Sequence, residues 1–438
     1  MRRLDDRTDP ETITDGESLE ARERAYETFV WDNLRRNYLG HFMLGMLGTT
    51  GWRLVSAPTF LPAYLHLVSG SAVVVGLGLA LQQLGAVLIP MVSAAKVQHR
   101  KRVQPAAMWA GGFARLSILA MAAVGWLLHG QALTIALLVI MFFFGVFMGV
   151  QRVVFNVLLA KMIPITRRGR LQAWRNACGG LIAAGLAYAA GKYLIEPNLL
   201  GHGYSLTFLA AFVLTSLGMS LFAMVIREPI PPTIAPRAKL HERLADFPRM
   251  LAADRPFAMY LAVLMLAATA RIAMPFYIIY VGQTLHLTGA VLGLLTLAYL
   301  GADTLSNLFW GYTGDKTGFR RVMVLSLVIW IAATLLLVFV HQTPAAIVAF
   351  FGLGAAQSGY QMASQTMVLE YGDRDDLPMR LGMSTSAEAL MATIGPLAGG
   401  LIADLLGFPI VFGISIAFLV VAILLSPAMG EPRQARLA

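Results

Sequence analysis

"GYTGDKTGFRR", Gly311 to Arg321, sets four charged residues in eleven positions between two long apolar runs. Asp315, Lys316, Arg320 and Arg321 cannot follow those runs into an apolar medium without a large cost. Gly318 stands where a tight turn calls for a backbone that glycine adopts without steric penalty. The stretch reads as a short polar turn joining two helices, with its cations held in water. That reading decides the fold, because the pattern recurs along the chain.

Of the 438 residues, 57% are hydrophobic and only 13% charged. A soluble domain carries about a quarter charged residues, so the chain reads as an integral membrane protein. Twelve apolar segments stand out: 38–67, 72–95, 104–128, 132–161, 171–194, 203–226, 256–282, 288–312, 321–340, 344–369, 380–404 and 408–427. Each comes near the ~20 residues that a helix needs to cross a bilayer. The runs are continuous and do not alternate, which selects helices over a barrel. They are numbered here as spans 1 to 12. The single cysteine, Cys178, allows no internal disulfide.

Charge orients the spans. Of the 34 lysines and arginines, 28 fall in the N-terminal tail, the C-terminal tail and alternate loops, one (Lys192) falls in the opposite loops, and five lie inside spans. The positive-inside rule then predicts a multi-pass protein of the cell inner or plasma membrane with both termini cytoplasmic. Positive charge confined to short loops argues against a nucleic-acid partner. Residues 1–37 hold no apolar core and are no signal peptide. Tyr26, Phe29, Val30 and Leu34 share one helical face, which predicts an amphipathic surface helix over Ser18–Arg36.

The segment 227–255 is charged and proline-rich and divides the chain into six spans and six. Three pairs of stretches repeat across it: "RKRVQPAAMW" (100–109) with "FRRVMVLSLVIW" (319–330), "RLQAW" (170–174) with "RLGMS" (380–384), and "LHLVSGSAVVVGL" (65–77) with "LHLTGAVLGL" (285–294). One six-helix unit is thus used twice. The expected organisation is a cytoplasmic tail (1–37), a six-helix bundle (38–226), a cytoplasmic linker (227–255), a second bundle (256–427) and a short tail (428–438).

At this point the chain resembles the major facilitator superfamily. Gly311, Asp315, Lys316, Gly318, Arg320 and Arg321 match that family's G-x-x-x-D-R/K-x-G-x-R/K-R/K signature between helices 8 and 9. "RRGRLQ" (167–172) resembles its arginine-glycine element after helix 4. The first-half copy of the signature departs, with Lys96 at the aspartate position and His99 at the glycine position. The resemblance implies an all-α membrane fold of twelve helices in two pseudo-symmetric bundles, working by alternating access. It also implies that spans 1, 4, 7 and 10 line a central cavity and that 2, 5, 8 and 11 form the seams. Asp315, Arg320 and Arg321 would then latch the halves in one access state.

Arg53 lies about half-way along span 1, and the matching count along span 7 reaches Arg271. A proline follows each, Pro58 and Pro275. A charge at mid-bilayer costs at least about 2.5–3.5 kcal/mol, and a guanidinium offers a planar fork suited to carboxylate or phosphate. Two readings stay open. The arginines clamp an anionic group on a substrate, or each pairs with a buried carboxylate or caps carbonyls at a proline kink. Placement of one arginine on helix 1 and one on helix 7 resembles the superfamily's organophosphate:phosphate antiporters. Thr49, Ser56, Gln151, Tyr277, Gln357, Tyr360 and Gln361 are candidate substrate contacts, with interhelical hydrogen bonding as the alternative.

Asp303 on span 8 and Glu388 on span 11 are acids inside the apolar zone. Asp303 is expected to form a structural ion pair across the seam, for example with Arg175. Glu388 has no evident cation and reads as a proton-coupling acid. Arg115 on span 3 has no evident role. Catalytic motifs and metal-ligand spacings are missing, so an enzyme, a cofactor or a metal is not expected. The expected activity is secondary transport, symport or antiport, of a small organic anion, driven by a proton or counter-solute. A multidrug or amphiphile exporter of the same fold is the alternative, with a membrane-embedded enzyme the outlier. The protein is expected to work as a monomer in the lipid bilayer.

Overall fold

The computed structural model describes residues 19–97, 102–231, 254–371 and 377–430, with backbone alone for 88–97, 377 and 378. His99, the linker arginines from Arg237 to Arg249, Arg374 and both tail ends fall outside the described residues. Nine helices among the described residues are long and apolar enough to cross a membrane. The other three spans depart for local reasons. Span 1 is broken, span 2 is described with side chains only in part, and span 10 (Thr343–Met367) carries Gln357, Gln361 and Gln365.

The remaining spans are helices of 18 to 33 residues. Span 2 is Ala72–Val97, span 3 Gln104–Leu127, span 4 Gly130–Met162, span 5 Ile165–Ala190 and span 6 Gly203–Val225. In the second half, span 8 is Gly289–Thr317, span 9 Phe319–Phe339, span 11 Leu377–Leu406 and span 12 Phe408–Leu425. Leu127, Met224, Phe339 and Leu424 are more than two-thirds exposed. Lipid tails are as apolar as these side chains, so their exposure carries no penalty there.

The repeat is visible in the packing. Span 4 lies on spans 2 and 3, as span 10 lies on 8 and 9; span 1 lies on 5 and 6, as span 7 lies on 11 and 12. The halves meet along two seams, span 2 against span 11 and span 5 against span 8. Between spans 8 and 9, Gly318 has φ +88° and turns the chain within one residue. A side chain at that φ is strained, which accounts for the glycine in the signature stretch.

Spans 1 and 7 are not continuous helices. Span 1 runs Leu34–Met43, takes a π turn at Leu44–Gly48, continues as Thr49–Ser56, breaks at Ala57–Thr59 and resumes at Phe60–Ser69. Span 7 runs Arg255–Ala270, tightens to a 3-10 turn at Arg271–Phe276 and ends as Tyr277–Thr284. Pro58 and Pro275 supply no N–H and disrupt the α-helical ladder at each place. The surface helix ends at Asp32, not at Arg36; Asn33 interrupts it, and Arg35 and Arg36 belong to span 1. Tyr26 and Val30 face inward as their spacing implied, and the Tyr26 hydroxyl donates to Lys161 O at 2.9 Å.

Both seams are clasped at the end opposite the basic loops. Glu196, just past span 5, accepts from Ala290 N in the first turn of span 8 at 2.6 Å. Asp404, in the last turn of span 11, accepts from Ser71 Oγ at 2.7 Å, Ala72 N at 2.9 Å and Val73 N at 3.1 Å, at the start of span 2. A carboxylate at a helix N-terminus satisfies free N–H groups and meets the positive end of the helix dipole. Asp404 is therefore bound by its neighbours across the seam. Backbones touch beside each clasp: a Cβ on Gly191 would lie 2.3 Å from Gly289 O, and one on Gly400 would lie 2.4 Å from Ala72 O.

Replacing both acids (Glu196→Gln, Asp404→Asn) should loosen that end. Ser56 is exposed on span 1. With Cys178→Ser as background, Ser56→Cys should react with an impermeant maleimide supplied from the clasped side several-fold faster in the doubly substituted protein. An unchanged rate would show that the clasps do not hold the seams.

Candidate functional site

The π turn and the proline break set the direction in which span 1 presents Arg53. Its Nη1 donates to Asp303 Oδ2 at 2.8 Å and to Thr304 Oγ1 at 3.0 Å, both on span 8. The ion pair therefore joins the two halves at mid-depth. Its side chains retain 20% and 17% exposure. Just beside it, Gly180 of span 5 lies so close to Thr304 that a Cβ would be 2.0 Å from Oγ1. Asp303 thus meets Arg53 and not Arg175. The Arg175 side chain lies over Gly45 of the π turn, where a Cβ would stand 2.0 Å from Nε, and its buried Nε has no hydrogen-bond partner.

Arg271, at the start of the 3-10 turn, is partly buried. It has no hydrogen-bond or ion-pair partner among the described residues. Its charge acts on the phenols of Tyr299 and Tyr360. Tyr299 also feels Asp303 and Arg53. Tyr360 donates its hydroxyl to Glu388 Oε1 at 2.7 Å. Of these residues Arg53 alone belongs to the first half, and its bond to Asp303 is the link between the halves. Thr304 was not singled out in the sequence, because a threonine on an apolar helix gives no sign of which guanidinium it meets.

The other candidate contacts divide. Gln151 on span 4 and Gln357 on span 10 are buried, each with an Oε1 that finds no partner. A buried amide oxygen without a donor is costly, so both sites favour a molecule that brings one. Ser56 and Gln361 are exposed, and Thr49 lies against Gly179 of span 5. Tyr277 is a correction: its hydroxyl meets Thr334 Oγ1 at 2.7 Å and accepts from Trp330 Nε1 at 3.2 Å, and its ring stacks on Phe412. It is 1% exposed and packs spans 7, 9 and 12 together.

Arg115 gains an account. Nε donates to Thr215 O at 2.8 Å, Nη1 to Gly111 O at 2.7 Å, and the guanidinium lies 5.8 Å from the Trp52 ring centroid. It ties span 3 to spans 6 and 1 inside one half. In the signature turn, Asp315 and Arg321 are exposed and Arg320 is partly buried, and Lys316 lies 4.3 Å from the Tyr312 ring centroid. No cluster of three or more potential metal ligands occurs among the described residues.

Comparison with known proteins adds three findings. The model of the Major Facilitator Superfamily matches residues 259–436. The multidrug resistance protein MdtG of Citrobacter koseri is 26% identical over 174 residues, which cover 38% of this chain and 42% of that protein. The match thus spans about two-fifths of that relative's length. Among solved structures, a variant of the nucleoside transporter NupG superposes over 90% of this chain and 100% of its own, with a TM-score of 0.71 at 13% identity. A D-xylose-proton symporter covers 90% and 97% with a TM-score of 0.69 at 13% identity. The human organic anion transporter MFSD10 covers 90% and 99% with a TM-score of 0.57 at 16% identity. At these identities the structures establish the fold.

A thermodynamic cycle tests the pair across the halves. Arg53→Gln and Asp303→Asn each strand a charge, which costs up to about 3–5 kcal/mol in a buried site. Each should lower the melting temperature in detergent, and the double substitution should recover a good part of the loss. Additive losses would show that the two side chains act independently.

Proposed function

We propose that the chain is a member of the Major Facilitator Superfamily and a secondary active transporter for a small solute bearing an anionic group. The observation that carries the reading is Arg271, a guanidinium in the apolar zone with no partner of its own among the described residues. A fixed cation there is costly until an anion neutralises it. Arg53 is already matched by Asp303, so the duplicated arginines take different parts. Arg271 receives the anion. Arg53 and Asp303 hold the halves together at mid-depth while the ends open in turn. The unpartnered Oε1 atoms of Gln151 and Gln357 suit a solute that also carries hydroxyl or N–H donors.

Glu388 is assigned the coupling role. It and Arg271 flank Tyr360. A proton on Glu388 removes a negative charge from the neighbourhood of Arg271 and leaves that cation to the solute. Loading of proton and anion are thereby linked through one phenol. The one-sided distribution of basic loops supports a multi-pass protein of the cell inner membrane with cytoplasmic termini, and we take the working unit as a monomer. A second reading, export of drugs or amphiphiles, is favoured by the likeness to the multidrug resistance protein of Citrobacter koseri.

Uptake into proteoliposomes, screened over phosphate esters, carboxylates and cationic dyes, separates the readings. Losing a hydrogen bond to a charged group costs about 1.5–3 kcal/mol. Arg271→Gln should therefore raise the half-saturation concentration for the transported anion by at least about tenfold, with the fold intact. Undiminished anion uptake would refute the assignment, and dye transport untouched by Arg271→Gln would favour the exporter. In a pH-jump assay, Glu388→Gln should abolish proton-driven flux; unchanged flux would remove that residue from the coupling.

A further inference from the structure

At the basic end, spans 1 and 5 enclose a groove of about 710 Å³ whose lining contains none of the candidate solute contacts. Its rim carries Arg35, Arg167 and Arg170, all exposed. None of the three has a side-chain hydrogen bond or ion pair among the described residues, and no acidic residue lines the groove. Three like charges side by side repel one another and call for a multivalent or concentrated anion. Deeper in lie Leu39, Phe42 and Trp174. Leu39 is 48% exposed and Trp174 53% exposed. Each stands four to seven residues further into the membrane than the rim arginines of its own helix, which is roughly 6–10 Å.

Cations at the level of lipid headgroups above an exposed apolar and aromatic floor match the outline of one phospholipid. Tryptophan at that depth is typical of the interface.

The geometry points to a binding site for an anionic phospholipid, its phosphate on Arg35, Arg167 and Arg170 and an acyl chain along Leu39, Phe42 and Trp174. This inference does not depend on the identity of the solute.

Native mass spectrometry of the detergent-purified, delipidated protein tests it, with phosphatidylglycerol, phosphatidylcholine and inorganic phosphate as probes. Each cation near an anionic lipid surface contributes about fivefold in affinity, so Arg35→Gln/Arg167→Gln/Arg170→Gln should weaken phosphatidylglycerol binding by about a hundredfold. Phosphatidylcholine and phosphate should bind weakly to both proteins. Trp174→Gln, which keeps every cation, should also weaken phosphatidylglycerol binding and serves if the triple variant is unstable. Equal retention of phosphatidylglycerol by wild type and variants would overturn the site. So would phosphate binding as tight as the lipid, which would mark an anion pocket without a chain site.

Discussion

A guanidinium in hydrocarbon must find a counter-charge, and Arg53 finds it on the opposite half. The Nη1–Oδ2 contact of 2.8 Å to Asp303 is both an electrostatic necessity and a mechanical link. Taking one partner away leaves a stranded charge, so the link holds whenever the site is dry. Because the pair closes on itself, it cannot also be the receptor for an incoming anion. In the proposed function that part falls to Arg271, the repeat-related residue without a partner among the described residues. Duplication supplied two arginines, and the acid on span 8 made them unequal.

Elsewhere the doubling remains symmetric. Span 4 packs on spans 2 and 3 and span 1 on spans 5 and 6, as span 10 packs on 8 and 9 and span 7 on 11 and 12. The clasps obey the same rule: Glu196 holds the start of span 8, and Asp404 holds the start of span 2. Each acid belongs to one half and each helix start to the other. Charge therefore works at three depths. Lysines and arginines crowd one end, ion pair and free arginine occupy the middle, and carboxylates bind helix dipoles at the far end. Glycines let the backbones meet where the carboxylates act, so polar bonding and close approach coincide there.

Much of this was legible in the sequence. The charge-dense turn with Gly318, the twelve spans and the repeat follow from apolar runs and charge placement, which depend on local chemistry alone. Arg53 and Arg271 stood out because a permanent charge in an apolar run is conspicuous. What failed needed the crossing of helices. Asp303 could be assigned a cation but not the right one, since Arg175 stands on a seam span while Arg53 stands on a span expected to line the cavity. Tyr277 was placed with the polar contacts because it follows Arg271. The 3-10 turn changes the angular register after Arg271 and aims that ring at Thr334 and Phe412. The clasp made by Asp404 was not legible, because an acid at a helix end shows no partner until the neighbouring helix start is located.

The most direct check is a structure of the protein holding the solute it carries. The account places the solute's anionic group on the Arg271 guanidinium, with Arg53 still bonded to Asp303. An anion bridging both arginines with Asp303 released, or one seated away from Arg271 altogether, would contradict it.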